Sequence, residues 1–121
     1  ENMPEYGREI ANAVGTIALM LHMDEAQVGN KEDLLIRFVQ LGIDNYGVIE
    51  AGGYWQADGG HNAGRKWPII FAGIMLDNYD MINIGYRPLP EKGFGEDCQT
   101  EYVGPEDVGY NGYTSAHVGA P

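Results

Sequence analysis

A single cysteine, Cys98, stands among 121 residues. An intrachain disulfide and a cysteine-built zinc site are thereby excluded. The redox compartment stays open, because many secreted proteins carry no disulfide. Basic residues are scarce as well: seven Lys and Arg face 18 Asp and Glu, for a net charge of -11. Such a chain is repelled by a phosphate backbone, which argues against a nucleic-acid partner. An anionic membrane surface is disfavoured for the same reason. No apolar run approaches the roughly 18 residues that a membrane span needs. No signal peptide follows Glu1, and a chain that opens on Glu reads as processed or as a fragment of something larger. Metal-binding signatures are missing too. His22, His61 and His117 show no His-Glu-x-x-His spacing, and no EF-hand loop occurs. There is no phosphate-binding loop and no Gly-x-Ser-x-Gly elbow. Nothing in the sequence asks for a cofactor.

What is present is enough for one domain. Hydrophobic residues make up 44% of the chain, so it is not a disordered one. The 18 glycines are about twice the usual share of roughly 7%. They show no Gly-X-Y period, so they mark turns or close backbone contacts.

Three helices are predicted by apolar spacing, near 6–23, 31–50 and 65–77. In the first, Ile10, Val14, Ile17 and Leu21 fall on one face. Ala11, Ala13, Gly15 and Ala18 widen that face with small side chains that let a neighbour approach. Asn30 is a good N-cap for the second, followed by Lys31-Glu32-Asp33, whose acids favour the helix dipole. Leu34, Phe38 and Leu41 make one stripe there, and Leu35, Val39 and Tyr46 an adjacent one. Gly42 and Gly47 inside it imply close helix contacts, or a bend near Gly47. The third must start between Asn62 and Trp67, because Pro68 is tolerated only in a first turn. Ile69, Ile70, Phe71, Ile74, Met75 and Leu76 leave it almost no polar face, as in a helix at the centre of a core.

After Asn78 the periodicity is lost. The helical part is 6–77 and the loop-rich tail 78–121, read as ordered loops with at most one short hairpin. From Asp77 to Asp107 the tail holds eight acidic residues against two basic ones. Some 40 residues without strong periodicity exceed what a compact domain normally carries. Self-association, or the remainder of a larger chain, would cover the tail and the apolar helices. A faint repeat relates Gly7-Arg8 to Gly64-Arg65, with Ile17 matching Ile74 and Leu19 matching Leu76. Chance likeness between two apolar helices explains it equally well.

The chain is organised around the stretch from Tyr54 to Pro68. It holds both tryptophans, His61 and the cationic pair Arg65-Lys66, with glycines on either side. Glycines permit positive φ and close backbone approach, so this is a shaped loop between rigid elements, a usual place for functional groups. His61 can serve as a base near neutral pH. Tyr54 can give or take a proton beside a cation. Arg65 can hold a carboxylate with two prongs, with Lys66 beside it. Asn62 can hydrogen-bond a carboxyl group as charge builds on it. Together they suit β-elimination of an acidic polysaccharide, with His61, Tyr54 and Asn62 catalytic and Arg65, Lys66 and Trp55 binding substrate. The alternative keeps Arg65 as a structural partner of Asp58 or Asp44.

The aromatic residues divide. Trp55, between glycines and a polar run, is the better sugar-stacking candidate, whereas Trp67 beside Pro68 reads as core. The acids Glu96, Asp97, Glu101, Glu106 and Asp107 could serve glycoside hydrolysis or bind calcium, but read better as a solvated face.

The run Gly59-Gly60-His61-Asn62-Ala63-Gly64-Arg65-Lys66-Trp67-Pro68-Ile69-Ile70-Phe71-Ala72-Gly73 resembles a stretch of large secreted bacterial α/α-toroid proteins. These are of the polysaccharide-lyase and glycoside-hydrolase type. Val39 to Gly47 and Phe94-Gly95-Glu96-Asp97 fit the same resemblance. It implies a mainly α fold, here a helical-hairpin segment of a toroid with a long irregular C-terminal tail. It also implies glycan substrates and an extracellular or periplasmic setting. A 121-residue chain cannot close a toroid, and no catalytic residue carries over. The competing reading, from another class, is a non-catalytic assembly subunit that packs through its apolar helices.

Overall fold

The computed structural model describes residues 6–24, 26, 29–57, 60, 62–87, 93–99, 102–110 and 112–120. They form α1 (Gly7–His22), α2 (Lys31–Glu50), α3 (Lys66–Leu76) and the single turn α4 (Tyr79–Ile82). Short 3-10 turns follow at Ile84–Tyr86, Gly95–Gln99, Pro105–Asp107 and Ser115–His117. No strand occurs among the described residues, and the one β feature there is an isolated parallel bridge between Trp55 and Phe94. The chain is mainly helical. The three helices expected from spacing stand where the apolar period put them. No helix among the described residues is long and apolar enough to cross a membrane.

α2 starts where its cap dictates: the Asn30 side chain accepts from the Asp33 N–H at 3.1 Å. The helix runs unbroken through Gly47, which is exposed and has open space where a Cβ would be. Gly42 is different. A Cβ there would overlap the Pro68 carbonyl oxygen and the Ala72 methyl group, so α2 and α3 cross in contact at this glycine. Phe38 sits one turn earlier, fully buried, with its ring 4.9 Å from that of Phe71 on α3. Around this crossing Ile49, Ile69, Ala72, Met81, Ile84 and Phe94 form the core.

α3 ends at Asp77, which takes the left-handed conformation with φ 52°. Asn78 then caps α4 by accepting from the Met81 N–H at 3.1 Å. The reversal lays α4 on Gly73, where a Cβ would stand 2.7 Å from the Ile82 nitrogen. This short turn is hidden in the sequence, because four residues cannot display a helical period.

Two expectations are corrected. The small face of α1 does not bring a neighbour close at Gly15, which has nothing within 4 Å of a Cβ position. α1 buries only Gly7 and Val14, and Gly64 packs against its Ala11 backbone. α3 is central only from Pro68 to Gly73, and there on one face. Pro68, Ile69, Ala72 and Gly73 are buried, while Ile74, Met75 and Leu76 are each about half exposed, at 53%, 50% and 51%.

In the tail, 3-10 turns take the place of a hairpin among the described residues. Two of them share one device ten residues apart in sequence: the Gly104 N–H donates to Asp107 Oδ2 at 2.7 Å, and the Thr114 N–H donates to His117 Nδ1 at 2.9 Å. Both turns end in a glycine with positive φ, Gly109 at 94° and Gly119 at 86°. The second turn returns to the first through Gly119 N–H to the Val103 carbonyl and Val103 N–H to the Ala120 carbonyl, both 2.9 Å. Upstream, Arg87 ties the chain back to α2. Its Nη1 donates to Glu50 Oε1 and its Nη2 to the Tyr46 hydroxyl, each at 2.7 Å.

Candidate functional site

The organising loop and the tail meet at one cavity of about 470 Å³. Trp55, Asn62, Ala63, Gly64, Arg65, Lys66, Trp67 and Ile70 line it from the loop and the start of α3. Phe94, Gly95, Glu96 and Asp97 line it from the tail. Its size is that of an ordinary small-molecule site, with mostly apolar walls and a few polar groups.

A two-residue parallel pairing holds the two walls. The Trp55 N–H donates to the Gly93 carbonyl at 2.8 Å, and the Gly95 N–H donates to the Trp55 carbonyl at 2.7 Å. The Trp55 and Phe94 rings stack, with centroids 5.5 Å apart and planes 12° apart. Gly95 is required for the approach, since a Cβ would lie 2.5 Å from the Ala57 nitrogen. Lys66 crosses the gap: its ammonium lies 5.1 Å from the centre of the Phe94 ring and forms an ion pair with Asp97.

Trp67 is 41% exposed and lines the cavity, which corrects the expectation that it is core. Pro68 and Ile69 turn inward instead, and Trp67 meets Phe71, one turn on, edge-first at 6.1 Å. Glu96 and Asp97 likewise leave the solvated face expected of them. Both are partly buried and border the cavity. Glu106, by contrast, is exposed.

Of the residues singled out for chemistry, Trp55, Asn62, Arg65 and Lys66 come together here. Asn62 spends its amide N–H on the Gln56 carbonyl, at 3.0 Å, which closes the loop. Tyr54 is 46% exposed and is not among the lining residues. His61 lies outside the described residues, as do Asp58 and Glu101. Asp44 accepts from Gln40 at 2.8 Å on α2, so the structural Arg65–Asp44 pair is not formed.

Arg65 ends the loop as the N-cap of α3, without a side-chain cap bond. The Asn45 amide fixes it by donating to its carbonyl at 3.3 Å. Its Nε is buried and has no hydrogen-bond partner among the described residues, and the same holds for Glu96 Oε1. A buried polar group left so costs about 1–3 kcal/mol. Among the described residues no cluster of three or more His, Cys, Asp or Glu could hold a metal ion.

Sequence alone could have reached Phe94 to Asp97 only through the contrast between the apolar Phe94 and the acids after it. Nothing local says that Trp55 is its partner. Compared with known protein families, curated proteins and solved structures, the chain matches none of them.

Proposed function

We propose that the chain binds glycans through the cavity between Trp55 and the start of α3. The observation that carries this reading is the pairing of aromatic walls with charged side chains in one cavity. Trp55, Phe94 and Trp67 offer flat apolar surface, and Arg65 and Glu96 border it with no ion pair among the described residues. A sugar ring has the matching character: an apolar face of C–H groups and an edge of hydroxyls.

Binding is favoured over β-elimination. Elimination needs a base, an acid and a charge-holding group around one carbon. Of the residues considered for those roles, Tyr54 is not among the lining residues and Asn62 already spends its amide on the Gln56 carbonyl. The α2–α3 crossing is compatible with one helix pair of an α/α toroid, which would carry with it an extracellular or periplasmic setting. The test is affinity electrophoresis in gels containing soluble polysaccharides. Retardation of the wild type that is lost in Trp67→Ala supports the reading, and equal migration in every gel contradicts it.

A second reading has its own support. Ile74, Met75, Leu76 and Tyr79 leave an apolar surface at the end of α3, of the kind that assembly covers. Glycan binding and assembly are compatible, since the cavity lies at the other end of that helix.

A further inference from the structure

Among the described residues the charged lining of the cavity is balanced, and this bears on what kind of sugar it takes. Those residues are Arg65 and Lys66, positive, and Glu96 and Asp97, negative. Lys66 is committed to Asp97. Among the described residues Arg65 and Glu96 form no ion pair, with each other or with another residue. The Arg65 guanidinium can only donate, and the Glu96 carboxylate accepts when ionised; both residues are partly exposed and line the cavity. The start of α3 favours negative charge by its dipole, but two carboxylates already border it.

We propose that the ligand is an uncharged sugar whose hydroxyls bridge Arg65 and Glu96, and not a uronate. The proposal rests on the glycan reading above and narrows it. A hydroxyl is both donor and acceptor, so neighbouring ring hydroxyls can take the Arg65 N–H and give a proton to the Glu96 carboxylate. A uronate carboxylate could satisfy Arg65, but it has no proton to give Glu96. It would also add negative charge beside Glu96 and Asp97, which repels it. Among the described residues Arg65 is the one lining cation outside an ion pair, which turns the acidic-glycan expectation toward neutral chains.

The test is calorimetric titration of the wild-type chain with xylohexaose, cellohexaose and mannohexaose against hexagalacturonate and hexaguluronate. We expect at least one neutral hexamer to bind about tenfold more tightly than either uronate. Glu96→Gln keeps the shape, removes the charge and supplies a donor, and it should narrow that gap to about threefold. Arg65→Gln should weaken the neutral ligand by about tenfold or more. A uronate that binds more tightly than every neutral hexamer overturns the proposal and leaves glycan binding intact. A gap unchanged in folded Glu96→Gln also counts against it. If no hexamer binds, the glycan reading falls and the proposal with it. Circular dichroism establishes that the variants fold, and if Glu96→Gln does not, the wild-type ranking decides alone.

Discussion

Trp55 and Phe94 stack with their ring centroids 5.5 Å apart, and the same two residues are joined by a parallel backbone bridge. That one relationship connects the organising loop to the tail and forms a wall of the cavity. Phe94 is buried in the core, so Phe94→Ala removes both packing and the platform under Trp55. We predict a loss of about 3–5 kcal/mol in denaturant unfolding. A change below about 1 kcal/mol would mean that the tail is not held by this stack.

The α2–α3 crossing gives a paired prediction from two glycines in one helix. Gly42→Ala forces a methyl group into the Pro68 carbonyl, a backbone atom that cannot swing aside. It should destabilise by about 1–3 kcal/mol or more, as overpacking does. Gly47→Ala meets open space and replaces a poor helix former, so it should stabilise by about 0.5–1 kcal/mol. Chemical denaturation of the two variants should move the midpoint in opposite directions. Equal shifts would contradict the close crossing.

Arg87, Glu50 and Tyr46 predict a pH dependence. The hydrogen bond from Arg87 holds the Glu50 carboxyl below the usual carboxylate range. Burial pushes the Tyr46 phenol up, against the opposing pull of Arg87. For Glu50 the stabilisation is therefore present above the ordinary value of about 4.3 and fades as pH falls through the lowered one. For Tyr46 it is present below about 10 and fades as pH rises through the raised value. Glu50 is half exposed, so its share should stay below about 1 kcal/mol. Thermal melts of Glu50→Gln should show a slightly lower Tm near neutral pH and a shallower fall on acidification. A slope equal to that of the wild type would contradict the pair's contribution.

The helices were legible because each carries an apolar period, and at Asn30 the cap is written in the sequence. Gly42 was legible as a contact, since a glycine inside a helix needs a reason. Gly15 carried the same signal and has no neighbour in this chain. The loop was legible as a place where side chains gather: Trp55, Asn62, Arg65 and Lys66 line one cavity. Its other wall was not legible. Phe94, Glu96 and Asp97 reach the loop only through a tertiary bridge, and acids in a tail look solvated when read locally. Trp67 was misplaced because Pro68 beside it marks a helix start without saying which side chain faces inward.

The most direct measurement is an NMR titration that follows the two indole N–H signals, those of Trp55 and Trp67. Neutral hexasaccharide should shift both, together with the backbone amides of Arg65, Gly95 and Glu96. Those of the exposed α3 end at Ile74 to Leu76 should stay still. Shifts absent from the indoles, or confined to the end of α3, would contradict a glycan site at the cavity.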